Sequence, residues 1–237
     1  MGGPVVIDRA ATLAEVGEFS LISAITEGLG LGADVILGPG DDAAILAVDG
    51  PVVTSVDVLV EGVHFRRDWS EAHDVGRKAV AVNVADLEAM GACARGIVVG
   101  FSAPPELPAA WVLDFVRGLS LECTTAGVSL LGGDVTKARD ITVSVTVLGG
   151  LQGRDPVRRS GAEPGDVVAV HGRLGWAAAG LAVLGRGFRS PRAEPVHCWS
   201  GLPGEILRRP FCPPPPPATG RGAFAGYLPV RRPGTTR

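Results

Sequence analysis

The sequence has few lysines and few cysteines. Lys78 and Lys137 are its only lysines beside 20 arginines, and the formal net charge is −3 at pH 7. A chain without a lysine-rich patch is not typical of nucleic-acid-binding proteins. The four cysteines form no C-x-x-C pair, which excludes zinc fingers and disulfide-rich scaffolds. We therefore expect no nucleic-acid partner and no structural zinc.

Long apolar runs are also lacking. No run approaches the ~20 residues needed to span a bilayer. The first apolar stretch is flanked by acidic Asp8 and Glu15, whereas a signal peptide begins with basic residues. The 46% of hydrophobic residues in a chain of 237 are enough to bury the core of one large domain or two small ones. The sequence therefore predicts a soluble, cytoplasmic protein with no membrane partner.

The composition changes abruptly near residue 190. Residues 1–190 carry 15 basic and 23 acidic side chains, whereas residues 191–237 carry 7 arginines, 2 glutamates and 11 of the 19 prolines. The apolar residues of this second part follow neither a helical nor a strand period, which predicts an extended or disordered tail. We therefore divide the chain into an N-terminal domain at 1–150, an incomplete second domain at 151–190 and a Pro/Arg-rich tail at 191–237.

The hydrophobic pattern before the tail predicts alternating helices and strands. Helices are predicted at 15–29, with Phe19 on the apolar face, and at 74–90, 108–126 and 176–184. Strands are predicted at 43–48, 52–56, 96–101, 128–131, 141–148 and 166–170, the first two joined as a hairpin by the turn sequence at 49–51. The expected fold is therefore α/β, an α+β sandwich whose mixed sheet packs on helices, followed by the beginning of a second α/β domain.

Four aspartates stand out by their positions. Asp42 follows a Gly-Pro-Gly turn, Asp57 ends a predicted strand, Asp86 lies in a predicted helix, and Asp134 follows two glycines. At strand ends and Gly-rich turns the backbone approaches ligands closely, and side chains from distant segments can share a cleft. Carboxylates that converge without His or Cys are typical of a Mg²⁺ site completed by substrate phosphates. For any single aspartate, turn formation or helix capping remains an alternative.

Six motifs occur in the order found in one enzyme family. They are GEFSLI at 17–22, GPGDDAA at 38–44, SVDVLVEGVHF at 55–65, KAVAVNVADLEAMGA at 78–92, LGGDVT at 131–136 and RSGAEPGD at 159–166. Over roughly residues 17–189 the chain resembles thiamine-monophosphate kinase, of the superfamily that includes aminoimidazole ribonucleotide synthetase. Each motif alone is weak, but six in order make chance similarity implausible.

The resemblance implies direct, Mg²⁺-assisted transfer of the γ-phosphoryl group of ATP onto thiamine monophosphate, in a homodimer that pairs through the sheet of its N-terminal domain. It implies that Asp42, Ser55, Asp57, Asp86 and Asp134 ligate Mg²⁺. It further implies that Gly133, Asp134 and Arg159 contact ATP and that His64 contacts the thiamine substrate. No acid or base is implied, because the accepting phosphate is already anionic. For His64 and Arg159, a packed histidine and a solvated charge remain alternatives.

The sequence departs from the family pattern in two ways. Val56 stands where the family usually has Thr, so a side-chain hydroxyl is missing, although a backbone carbonyl could replace it. The Asp-x-Ser-Asp-Gly motif of the second lobe is absent after residue 172, and the change of composition near Glu194 indicates a shifted reading frame or a gene-model fault. An impaired, dimerising nucleotide-binding fragment is therefore the main alternative. Another enzyme of the superfamily, such as a selenophosphate synthetase, would need a reactive Cys near the N-terminus, and none is present.

Overall fold

The structure, a computed structural model, describes residues 7–26, 30–167 and 174–185. Its helices are α1 (Leu13–Val16), α2 (Glu18–Thr26), α3 (Ala72–Ala89), α4 (Ala109–Ala126) and α5 (Trp176–Gly185), with a short 3-10 helix at Arg159–Gly161. Its strands are β1 (Val35–Leu37), β2 (Ile45–Leu46), β3 (Val52–Val60), β4 (Cys93–Ala103), β5 (Ser129–Lys137) and β6 (Thr142–Gly150). None of the described helices is long and apolar enough to cross a membrane.

Four strands form the main sheet in the order β3-β6-β4-β5. β6 pairs antiparallel with both β3 and β4, whereas β4 and β5 are parallel and joined through α4. Helices α3 and α4 cover one face of this sheet, so the residues of β6 that point toward them are almost completely buried. Val143, Val145 and Val147 each expose at most 1% of their surface. The predicted α/β class with a mixed sheet packed on helices is confirmed. Strands β3 and β5 are left as the two edges.

Helices α3 and α4 pack unusually closely because glycines lie where they meet. A Cβ atom on Gly76 would lie 2.1 Å from the carbonyl oxygen of Phe115, and one on Gly118 would lie 1.9 Å from that of His73. Real carbon atoms do not approach a carbonyl oxygen this closely, so both positions require glycine. This contact fixes α3, which faces β3, relative to the rest of the core.

Two predictions about the first 60 residues are wrong. The segments 43–48 and 52–56 do not form a hairpin: β2 pairs with β1, and β3 pairs with β6 across the main sheet. The predicted helix 15–29 is divided at Gly17, whose φ of +74° ends α1 and reorients the chain before α2. Leu21 is therefore the buried residue of α2, and Phe19 is 84% exposed.

The later elements agree better with the predictions. Helices α3, α4 and α5 lie within two residues of their predicted bounds, but β5 continues through Gly132, Gly133 and Asp134, which the sequence suggested lie in a turn. Asp166 and Val167 are not in a strand, and the rest of the predicted strand at 166–170 lies outside the described residues, as does the tail at 191–237. The division at residues 150 and 190 stays a prediction.

Candidate functional site

Three predicted metal ligands meet where helix α3 packs against edge strand β3. The Ser55 hydroxyl donates to Oδ2 of Asp86 over 2.8 Å. The backbone N–H of Asp57 donates to Oδ1 of Asn83, one turn before Asp86, over 2.9 Å. Ser55 and Asp57 lie two residues apart on the same side of β3, roughly 7 Å along the strand. We call the group of Ser55, Asp57 and Asp86 the α3–β3 seam.

The chemistry of the seam fits a hard cation. Its side chains offer only oxygen donors, which is the ligand type that Mg²⁺ takes from proteins. Within the part of the chain that the structure describes, no hydrogen bond or ion pair involves the carboxylate of Asp57, and Ser55 alone donates to that of Asp86. Two carboxylates and a hydroxyl are a partial ligand set, and no group of three His, Cys, Asp or Glu residues in the described ranges could hold a metal ion.

Gly133 and Asp134 lie on the opposite edge of the sheet. Gly133 pairs with Val99 on β4, which pairs with Val145 on β6, which in turn pairs with Asp57 on β3. The two edges are therefore level along the strands but three strand spacings apart, about 14 Å. One chain does not bring Asp134 to the α3–β3 seam.

Asp42 and Arg159 lie outside the four-stranded sheet. Asp42 is exposed in a bend between β1 and β2, and its N–H donates to Oδ1 of Asp41 over 2.8 Å. Arg159 begins the short 3-10 helix, where it is exposed. Their assignments to metal and ATP stay predictions.

His64 occupies a tight turn directly after β3. Its ring Nδ1 accepts the N–H of Val60 over 3.1 Å, and its carbonyl oxygen accepts a hydrogen bond from Nζ of Lys78 over 2.6 Å. Gly62 has φ of +80°, and its N–H donates to the carbonyl of Phe65, which anchors the turn in the core. Because Nδ1 is an acceptor, the neutral imidazole carries its proton on Nε2 and can donate from that nitrogen.

Two residues of α3 that the motifs contain were not assigned a role from sequence. Asn83 is 1% exposed, and Lys78 is half-buried with the pKa of its amine held below the ordinary value by desolvation. Both side chains hydrogen-bond to the candidate site rather than form part of the apolar core. The available signal was a lone amide at position 83 on the face of α3 that is otherwise apolar, with Val80, Val84 and Leu87.

A surface groove lies elsewhere on the molecule. It has a volume of about 740 Å³ and runs between α2 and α4, with Ile25, Val116 and Cys123 in its walls. None of the residues predicted for metal, ATP or thiamine binding lines it, and no carboxylate does so among the described residues. The groove therefore does not coincide with the site indicated by the motifs.

Comparison with known proteins agrees with the motifs. Residues 40–151 match the family model for the AIR synthase related protein, N-terminal domain. The chain is 46% identical over 218 residues to thiamine-monophosphate kinases of two Mycobacterium tuberculosis strains, a match that covers 92% of this chain and 62% of theirs. It is 38% identical over 177 residues to that of Corynebacterium glutamicum, which covers 73% of this chain and 52% of the relative.

Solved structures give the same result. The AaThiL structure complexed with AMPPCP and TMP matches with a TM-score of 0.56 and 31% identity, covering 84% of this chain and 60% of that one. The chain spans about 62% of the length of the mycobacterial relatives, and the 218-residue match extends beyond residue 189, where the resemblance predicted from the motifs ends. Over the length that they share, the chain belongs to the thiamine-monophosphate kinase family, with an AIR synthase related domain at residues 40–151.

Proposed function

We propose that this chain carries the metal- and nucleotide-binding part of an enzyme that transfers the γ-phosphoryl group of ATP to thiamine monophosphate, forming thiamine diphosphate and ADP. The observation that carries the proposal is the α3–β3 seam, where Ser55, Asp57 and Asp86 of two family motifs come together. The AaThiL complex with AMPPCP and TMP supports the pairing of a nucleotide with a second phosphorylated ligand. A cytoplasmic location stays part of the prediction.

The residues of the chain serve mainly to bind and orient. Asp57 and Asp86, with Ser55, would hold Mg²⁺, which neutralises phosphate charge and orients the phosphates when bound. Lys78 and Val60 hold the turn that carries His64 and occupy its carbonyl oxygen and Nδ1, so its Nε2–H is left as the donor that would bind the acceptor. Phosphoryl transfer between phosphates depends on positioning and charge stabilisation, so no general base needs to be assigned.

A homodimer belongs to the same proposal. The sheet face turned away from α3 and α4 carries four valines whose exposed fractions lie between 37% and 56%. They are Val52, Val56, Val58 and Val98. Both edge strands, β3 and β5, lack a further strand partner in the described part of the chain. A second copy packed on this open face would cover the valines.

A second candidate is a nucleotide-binding module that does not turn over. It is favoured by the 14 Å separation of the two edges, which leaves each chain with an incomplete ligand set for a metal-bound triphosphate. The two candidates differ in what happens after Mg-ATP binds, since only the kinase passes a phosphoryl group to thiamine monophosphate.

The experiment measures binding and turnover on the same purified chain. Calorimetry with Mg²⁺ and a non-hydrolysable ATP analogue reports binding, and chromatographic detection of thiamine diphosphate reports transfer, with a reaction lacking thiamine monophosphate as the control. Binding with thiamine diphosphate formed supports the kinase. Binding without product supports the module, and no binding at millimolar nucleotide refutes both.

A further inference from the structure

Asn83 is a buried amide whose two ends are both used. It lies in α3 with 1% of its surface exposed. Its Nδ2 donates to the carbonyl of Ala79 over 2.9 Å, one turn earlier in the same helix, and its Oδ1 accepts the backbone N–H of Asp57 over 2.9 Å. The first bond fixes the orientation of the carboxamide, so the second bond holds Asp57 at a defined distance from α3.

The bond to Asp57 fills a position that the sheet leaves open. Among the described strands β3 lies at an edge of the sheet, so its N–H groups on the side away from β6 have no described strand to pair with. Buried backbone N–H groups nearly always find an acceptor, and at Asp57 a side chain of α3 supplies it. Apolar residues surround position 83 on the inner face of α3, with Val80, Val84 and Leu87 all buried. An amide there is costly unless it serves a specific contact.

The same helix makes a second bond to β3 one turn later. Asp86 accepts the hydroxyl hydrogen bond of Ser55, two residues before Asp57 on the strand. β3 is therefore attached to α3 at residues 55 and 57, the two positions on this strand predicted to bind the cation. Asn83 carries no charge and cannot replace a carboxylate ligand, but it sets where the Asp57 backbone lies relative to Asp86.

We propose that Asn83 is a positioning residue that holds Asp57 against helix α3 so that the carboxylates of Asp57 and Asp86 face one cation. The inference rests on the proposed function, because it requires that these carboxylates bind Mg²⁺. Residues that orient metal ligands through hydrogen bonds typically contribute 10- to 100-fold to metal affinity. We expect a loss of about that size when the amide is removed.

The test compares Asn83→Leu, which keeps a similar volume but removes both hydrogen bonds, with the control Val80→Ala. Val80 is fully buried one turn away in α3, and its side chain makes no hydrogen bond to β3. Titration of Mg²⁺ into the full chain by calorimetry should show affinity about 10- to 100-fold lower in Asn83→Leu and within twofold of the unmodified chain in Val80→Ala. Amide exchange at Asp57, measured by NMR, should accelerate in Asn83→Leu alone.

A second measurement needs no variant and covers the case in which Asn83→Leu fails to fold. In the unmodified chain, the NMR signals of the Asn83 carboxamide should shift as Mg²⁺ is added, with the same dissociation constant as calorimetry gives. Equal Mg²⁺ affinity in Asn83→Leu and Val80→Ala, or carboxamide signals that do not respond to Mg²⁺, overturns the positioning role alone. An unmodified chain that binds no Mg²⁺ at millimolar concentration overturns the proposed function and this inference together.

Discussion

The close contact between α3 and α4 gives a sharp prediction for Gly118→Ala. The added methyl carbon would lie 1.9 Å from the carbonyl oxygen of His73, and neighbouring atoms of the same backbone lie at 2.7 and 2.9 Å. Because the obstructing atoms belong to the helix backbone, no rotation of a side chain can make room. α3 and α4 would have to move apart by more than 1 Å, against a core packed at crystal-like density.

The magnitude follows from two opposing terms. Alanine in place of glycine inside a helix gains roughly 1 kcal/mol of helix propensity. Overpacking of a core costs typically 1–3 kcal/mol and more where backbone must shift. Because the overlap here is with backbone on the main helix contact, we take a cost of about 3–5 kcal/mol, above the typical range, so the free energy of unfolding should fall by about 2–4 kcal/mol. For a chain of this size that corresponds to a fall in Tm of about 5–15 °C.

The assay is thermal unfolding followed by circular dichroism, with Gly185→Ala as the matched control. Gly185 ends α5, and a Cβ atom there would meet no atom of the described residues within 4 Å, so this change should leave Tm the same or slightly higher. Gly76→Ala should resemble Gly118→Ala, because its Cβ would lie 2.1 Å from the carbonyl of Phe115. A Tm for Gly118→Ala within 2 °C of the unmodified chain would refute the close-contact argument.

Three further outcomes are expected. Asp57→Asn should weaken Mg-ATP binding measured by calorimetry at least about tenfold because it removes a charge from the proposed cation site, whereas Glu106→Gln, in an exposed turn, should not. Burial raises the pKa of the Cys123 thiol to about 12, so its alkylation by iodoacetamide at pH 8 should be on the order of 10²–10³-fold slower than in the unfolded chain. The stability that comes from keeping this thiol protonated is present below pH 9 and is lost as the pH rises toward 12. Equal alkylation rates in the folded and unfolded chains would contradict the burial. Val98→Lys on the open sheet face should change the oligomeric state measured by sedimentation from dimer to monomer, whereas Leu121→Lys on the outer side of α4 should leave the dimer unchanged. A Val98→Lys variant that remains a dimer would contradict pairing through that face.

Elements whose contacts are local were predictable from sequence. α3 and α4 repeat apolar residues at helical spacing over 18 residues each, and the structure places both within two residues of the prediction. β6 was recognised because apolar and polar residues alternate over most of 141–148, and in the structure its residues alternate between half-buried and buried as far as Gly149. The pairing of strands was not predictable in this way. β2 and β3 are separated by a good turn sequence, yet their partners are β1 and β6, chosen by long-range packing.

The same distinction applies to the candidate site. The motifs marked Asp57, Asp86 and Asp134 as equivalent carboxylates, and nothing in their spacing revealed the strand order. Only the order β3-β6-β4-β5 separates Asp134 from the other two by the width of the sheet. Asn83 was overlooked for the opposite reason, because an amide in an amphipathic helix carries no chemical signature until its backbone partner on another element is known.

Position 56 shows how β3 divides its residues between the site and the open face. Side chains alternate along a strand, so Ser55 and Asp57 face α3 while Val56, 55% exposed, faces the other way. A threonine at this position, as in the family pattern, would place its hydroxyl on the open face and not in the α3–β3 seam. In the register, Val56 pairs with Thr146 and Thr146 with Val98, which places it among the exposed valines. The departure at Val56 therefore bears on what packs against the sheet, and it leaves the predicted ligands Ser55, Asp57 and Asp86 intact.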